Sequence, residues 1–219
     1  MNINVTEKRQ EIYYSQIRTW PLIFNLKHEA KILDIGCGQG VLGKYLKDKV
    51  AANVCGIEIT TEHHNVASTV LDRAILGDIE SMDMTLIGTD FNYVIFSDSL
   101  EHLVDPGTIL QKTKSLMTED GAILMSLPNV RNFRVTLPLL FRDKWEYTDE
   151  GLLDKTHLRF FTLNSITHLL HESGFKVEIF HYDLPLSSKV GILNLLTLGL
   201  FRKILTSHYF IKACIQKNS

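Results

Sequence analysis

The sequence predicts an α/β fold: a mostly parallel sheet covered on both faces by helices. Short apolar runs of strand length alternate with helical stretches between residues 31 and 128. Those runs are near-continuously apolar, as strands buried on both faces are. The composition, 45% hydrophobic and 22% charged over 219 residues, suits a globular chain large enough for one substantial core.

Element by element, residues 6–26 carry apolar residues at roughly helical spacing and predict a helix broken at Pro21, within an N-terminal cap spanning 1–30. "KILDIG" (31–36) predicts a buried strand and "VLGKYLKDK" (41–49) a helix. "ANVCGIEI" (52–59) is a second strand, "EHHNVAS" (62–68) a short helix and "RAILGD" (73–78) a third strand. "FNYVIFSD" (91–98) is a fourth, "PGTILQKTKSLM" (106–117) a helix and "GAILMSLP" (121–128) a fifth strand. The rhythm then stops. Residues 129–156 mix arginines, aromatics and acids without a period, which marks a functional insert. "TLNSITHLLHESGF" (162–175) reads as a helix capped by Thr162 and closed by Gly174. "FKVEIFHY" (175–182) and "SHYFIKACI" (207–215) predict two closing antiparallel strands at the sheet edge. Residues 1–219 are expected to form one domain, with 129–161 inserted on the acceptor side.

Charge and cysteine usage exclude some functions. The net charge of −2 offers no basic field for nucleic acid, so no nucleic-acid partner is expected. The three cysteines lack any CxxC or zinc spacing, which points to a reduced, cytoplasmic protein. The first residues show no signal-peptide core, and no apolar run reaches transmembrane length.

The chemistry begins at the first strand. Gly36, Gly38 and Gly40 follow it directly, where ligands of open α/β sheets bind. "GQGVLG" (38–43) matches a dinucleotide fingerprint, and Glu58 lies at the spacing of a ribose-binding acid. A nicotinamide-dependent oxidoreductase is therefore one alternative. The bend, however, begins earlier, beside Asp34, whose charge repels a pyrophosphate and favours a cation. S-adenosylmethionine carries a sulfonium and an ammonium and no phosphate. Further acids, Glu58, Asp78 and Asp98 after Ser97, close the next three strands. The plainer reading of any one of them is a strand-end cap.

"ILDIGCGQG", "VCGIEIT", "GDIE", "FNYVIFSDSLEHLVDP" and "GAILMSLPN" resemble the successive motifs of class I S-adenosylmethionine-dependent methyltransferases, across about residues 31–128. The resemblance implies a Rossmann-like, seven-stranded sheet of order 3-2-1-4-5-7-6 with strand seven antiparallel. It implies that Asp34, Gly36 and Gly38 line the methionine moiety, Glu58 the ribose, and Asp78 with Ile79 the adenine. Cys37, Ile59 and Ser97 complete the expected cofactor set. Residues 126–162 resemble a subgroup associated with bacterial surface-glycan pathways. Parts of the pattern are shared with a methionine-biosynthesis-associated group, so a non-catalytic or partner-regulating protein is a second alternative. Tyr13, Tyr14 and Arg18 resemble a helix that caps the cofactor pocket.

The expected reaction is O-methylation of a sugar or glycan-precursor hydroxyl. A hydroxyl acceptor must lose a proton, and histidine, with an unperturbed pKa of about 6.5, suits that task. His102 follows strand four and His157 lies in the insert; both are candidate bases. Glu101, His102 and His157 offer metal-ligand chemistry, but adjacent residues rarely face one ion, so no metal is expected. Arg131, Trp145, Tyr147 and Arg159 are the expected acceptor-binding residues. The plainer reading of the insert is a lid or a homodimer contact, with Asp154, His157 and Arg159 pinning the loop. Cys37 reads as a small residue fitting the bend rather than a reactive thiol. "FSDSLEH" lacks the DPPY or NPPY of base-flipping amino-methyltransferases. Residues 189–204 have an apolar body with cationic ends and fit either a membrane interface or a helix packed over the sheet.

Overall fold

A computed structural model describes residues 18–217. Residues 1–17, with Tyr13, Tyr14 and most of the expected cap helix, lie outside the described residues. The sheet comprises β1 (Lys31–Ile35), β2 (Asn53–Glu58), β3 (Arg73–Leu76), β4 (Phe91–Ser97), β5 (Met117–Pro128), β6 (Phe175–Tyr182) and β7 (His208–Ile215). Its order is β3-β2-β1-β4-β5-β7-β6. β7 runs antiparallel between β5 and β6, and the remaining pairs are parallel. This is the topology that the sequence motifs imply.

Among the described residues, seven α-helices accompany it: α1 (Val41–Val50), α2 (Thr61–Val70), α3 (Pro106–Thr113), α4 (Phe133–Arg142), α5 (Leu163–Glu172), α6 (Lys189–Leu196) and α7 (Arg202–Leu205). Among the described residues, no helix is long and apolar enough to cross a membrane. The two-residue period of the strands sorts their side chains to opposite faces. Leu33, Ile57, Val94 and Met125 pack with α3 and α5. Ile32, Val54, Ile95 and Leu124 pack with α1, α2, Trp20 and Phe24 on the other side.

Most predicted elements appear within a few residues of their expected bounds, and the departures have causes. Pro21 lies in the first turn of a 3-10 helix, Trp20–Phe24. β3 stops at Leu76, so Asp78 lies in the following turn. α5 begins with a capping box in which Thr162 Oγ1 accepts from the Ser165 N–H (3.2 Å) and Ser165 Oγ accepts from the Thr162 N–H (2.9 Å).

The insert holds a helix that the sequence did not announce. Pro138 sits inside α4 and masks its pattern, while Asn132 caps it by accepting from the Arg134 N–H (3.0 Å). The insert also closes on itself: Asn129 and Phe161 form a β-bridge, so its two ends leave the fold side by side.

Gly56 shows how tightly the site is built. Its partner across the β1–β2 pair is Asp34. A Cβ on Gly56 would lie 2.5 Å from Cys37 Sγ and 2.6 Å from Leu71 Cδ1. Gly56→Ala should therefore destabilise the fold by about 1–3 kcal/mol through overpacking. Denaturant melts check this, and adding Cys37→Ala should recover part of the loss; full additivity of the two changes would contradict the contact.

Candidate functional site

The site starts at the carboxyl end of β1. The chain turns through Gly36 (φ +76°), Gly38 (φ +54°) and Gly40 (φ +78°), a left-handed backbone that side chains disfavour. Gly36 has a further constraint, since a Cβ there would come within 2.9 Å of Ser99 Cβ. The N–H groups of Gly36 and Cys37 both donate to the Ile57 carbonyl, at 2.9 and 3.0 Å, continuing the sheet into the bend. Glu58 then fastens it. One carboxylate oxygen accepts from the Gly38 N–H (2.9 Å), and the other accepts from the Thr60 N–H (2.9 Å) and its hydroxyl.

Asp34 lies beneath this loop at 1% exposure. Neither carboxylate oxygen has a hydrogen-bond partner among the described residues. Burial pushes its pKa up to about 7, against the opposing pull of Arg18, with the Glu58 charge adding to the rise. A buried carboxylate with no partner is costly. It is the donor set that a cationic ligand completes.

At the end of β4, Asp98 adopts a left-handed φ of +50°. Arg18 donates to the Ser97 carbonyl (3.0 Å) and hydroxyl (3.2 Å) and pairs with Asp98. Trp20 Nε1 also donates to Ser97 Oγ, at 3.3 Å. The polypeptide before β1 thus reaches the carboxyl end of β4.

A 3-10 turn, Leu100–His102, follows. Glu101 is fully buried, and neither side-chain oxygen has a hydrogen-bond partner among the described residues. Burial, then the Asp98 charge, raises its pKa well above the carboxylate range. Its backbone carbonyl accepts from the N–H groups of Leu158 (2.9 Å) and Arg159 (3.0 Å). That pair of bonds brings the insert back against β4. It sets the His102 and His157 rings 4.9 Å apart, edge to face. His102 Nδ1 lies 3.1 Å from the Thr156 carbonyl. Burial, then neighbouring His102, lowers the pKa of His157, which favours its neutral form. His157 Nε2 approaches Glu101 Oε1 to 3.9 Å.

One carboxylate and two imidazoles converge here, with ligand atoms of Glu101, His102 and His157 within 4.8 Å of one another. Adjacent residues rarely face one ion, yet the 3-10 turn brings ligand atoms of Glu101 and His102 close together. These residues have the chemistry to hold a divalent ion.

The fold and this bend define an S-adenosylmethionine-dependent methyltransferase class of protein. The methyltransferase-domain family matches residues 7–178, and the chain belongs to that family. Among curated proteins, the ubiquinone biosynthesis O-methyltransferase of Actinobacillus pleuropneumoniae is 32% identical over 108 residues, covering 45% of this chain and 46% of that protein. The mitochondrial ubiquinone biosynthesis O-methyltransferase of Bos taurus is 28% identical over 159 residues, 68% of this chain and 42% of that protein. The ubiquinone biosynthesis O-methyltransferase of Colwellia psychrerythraea is 28% identical over 158 residues, covering 68% of this chain and 62% of that protein. The chain spans about half the length of these relatives. A methyltransferase structure from Methanosarcina mazei superposes with a TM-score of 0.64 at 16% identity, covering 92% of this chain and 100% of that one. The CcbJ methyltransferase of Streptomyces caelestis gives 0.64 at 11%, covering 90% and 88%; both likenesses are of fold.

The residues present fit S-adenosylmethionine. Asp34 supplies an unpartnered anion, the glycine bend allows close backbone approach, and Glu58 keeps acceptor capacity beyond the bonds it makes. The other expected contacts lie as follows. Asp78 caps its own turn, accepting from the Glu80 N–H (2.9 Å) and the Ser81 hydroxyl (3.3 Å). Ile79 is buried in the core, whereas Ile59 is exposed just past β2. The Cys37 side chain packs toward Gly56 instead of into the bend's open side, and burial raises its thiol pKa.

On the acceptor side, Trp145, Tyr147 and His157 surround Phe160, with ring centroids 5.4, 6.3 and 6.2 Å from it. Arg131 is exposed at the mouth of the insert. Arg159, expected to bind the acceptor, donates through its guanidinium to the Val104 carbonyl, and its N–H donates to the Glu101 carbonyl. Asp154 likewise pins the loop, accepting from the Thr156 N–H (2.8 Å) and hydroxyl (2.7 Å). Sequence reasoning assigned no role to the Glu101 backbone carbonyl; no side-chain pattern announces one.

The raised Asp34 pKa has two measurable consequences. Its folded value exceeds the unfolded one, so its relative stabilisation is full at low pH and is lost as pH rises through about 7. Asp34→Asn should therefore melt higher than the parent above neutrality, with the difference vanishing in acid. A cation beside Asp34 lowers its pKa, so adenosyl-ligand binding near pH 7 should release protons. Calorimetry in buffers of different ionisation enthalpy reads that release; its absence would show that Asp34 does not face the ligand's charge.

Proposed function

We propose that the chain transfers a methyl group from S-adenosylmethionine to a hydroxyl oxygen of a ring-bearing acceptor. The observation that carries this is the meeting of the His102 and His157 rings where the insert returns to the end of β4. Because carbonyls only accept, the contact with Thr156 fixes His102 with its proton on Nδ1 and leaves Nε2 as a base. S-adenosylmethionine, when bound, supplies a methyl carbon on a cationic sulfur that leaves as a neutral thioether. His102 Nε2 takes the hydroxyl proton as the oxygen–methyl bond forms. His157 and the aromatic cluster around Phe160 orient the acceptor ring and exclude water. The O-methyltransferase names of the relatives support an oxygen acceptor. They lend nothing to the narrower expectation of a sugar, so the proposal is a hydroxyl on a planar or ring-shaped acceptor. The free thiols of Cys37, Cys55 and Cys214 suit a reducing compartment.

Calorimetry with S-adenosylmethionine, S-adenosylhomocysteine and NADH comes first; the adenosyl pair should bind and NADH should not. Transfer of labelled methyl is then followed into a catechol and a nucleotide-linked hexose. His102→Ala should lower kcat by about 10²–10⁴-fold with adenosyl affinity unchanged. Adenosyl binding without transfer to either acceptor favours the partner-regulating alternative, and NADH binding favours the oxidoreductase. Activity lost to a chelator and restored by a divalent ion would replace the base with a metal held by Glu101, His102 and His157.

A further inference from the structure

The sequence segregates charge in a way that the net value conceals. Residues 129–142 and 184–206 contain no Asp or Glu, although the chain has 25 of them. They do contain Arg131, Arg134, Arg142, Lys189, Arg202 and Lys203. All six side chains are exposed. Acids resume at Asp143.

The fold ties these two segments together. Asn129 and Asn132 are both buried at the start of the insert. Asn129 Nδ2 donates to the carbonyls of Lys203 (3.0 Å) and Thr206 (2.9 Å). Asn132 Nδ2 donates to those of Leu205 (3.1 Å) and Thr206 (2.8 Å). The cap of α4 is thereby fastened to the end of α7. α6 is seated by Gly191, where a Cβ would lie 2.1 Å from the Pro185 carbonyl oxygen. Glycine lets the helix backbone sit down on that segment, and the large side chains of α6 and the following turn point away. Leu195, Leu196, Leu198 and Leu200 are exposed, Leu198 to 94%, as are Leu140 and Phe141 at the end of α4.

An apolar surface of this extent on a soluble-sized fold marks an interaction site. The two segments carry six cations and no acid, with Asp143 and Asp183 only at their boundaries, and that balance selects the partner. Two copies of the chain meeting through this face would bring like charges together. An anionic surface with an apolar interior satisfies both halves of the composition at once.

We infer that α4 together with the α6–α7 segment forms a docking face for an anionic lipid bilayer, with leucines entering the acyl boundary and the arginines and lysines at the head groups. The docking is independent of methyl transfer, since none of these leucines belongs to the cofactor bend or the histidine pair.

Flotation of the full chain with phosphatidylcholine vesicles, with and without phosphatidylglycerol, tests it. Binding should require phosphatidylglycerol and weaken as salt rises. Leu198→Asp should abolish it. Replacing Lys189, Arg202 and Lys203 by alanine should weaken it on the order of a hundredfold, about fivefold per cation. Both variants should bind S-adenosylhomocysteine as the parent does, which confirms their folding and separates this inference from the methyl-transfer reading. No flotation, or flotation indifferent to lipid charge, overturns the inference. So does a parent dimer that Leu198→Asp makes monomeric, which would reassign the face to self-association.

Discussion

The carboxylate of Asp34, buried at the end of β1 with no hydrogen-bond partner among the described residues, is the constraint around which the rest is organised. A partnerless charge in a low-dielectric position opposes folding. The fold tolerates it because β1 is paired on both sides, to β2 and β4, and both faces of those strands are packed. The glycine bend above it is held by the Ile57 carbonyl and the Glu58 carboxylate, not by Asp34. The two acids thus differ in what they do for the loop. Glu58 shapes the loop, and Asp34 makes no hydrogen bond among the described residues.

That difference was only half legible in the sequence. Asp34, the glycines and Glu58 are close in sequence or close one strand pair, so their types and spacing revealed a common site. Their separate duties depend on which N–H each oxygen meets, and spacing does not encode that. The sheet order was legible because the motifs at successive strand ends resemble those of a known family. α4 was not, because Pro138 interrupts its pattern and its stability derives from the Asn132 cap and the closure of the insert. Ser97 was expected to meet the cofactor. Its hydroxyl is engaged by Arg18 and Trp20, residues almost eighty positions earlier, at a distance no local pattern reports.

The acceptor side follows a different logic. His102 and His157 come from a strand end and an irregular loop, and no motif joins them. They meet because one backbone carbonyl, that of Glu101, accepts two consecutive N–H groups from the insert. This anchor uses main-chain atoms, so the side chains around it can change without moving it. The surrounding rings of Trp145, Tyr147 and Phe160 are therefore free to diverge with the acceptor, while the histidine pair keeps its place. Arg159 and Asp154 serve the same anchoring, which explains why charges that suit a ligand are spent on carbonyls and N–H groups nearby.

The antiparallel β7 has a consequence for the order of assembly. It lies between β5 and β6 in space but follows both in sequence. While the chain emerges from a ribosome, β1 to β5 can pair with their neighbours, but β6 has no hydrogen-bonded place until β7 arrives. The buried amides of Asn129 and Asn132 likewise wait for the carbonyls of residues 203–206. The cofactor half is complete long before the acceptor half. A nascent chain therefore passes through a stage with its ligand bend formed and one sheet edge open, when it is most exposed to misassociation and most in need of a chaperone.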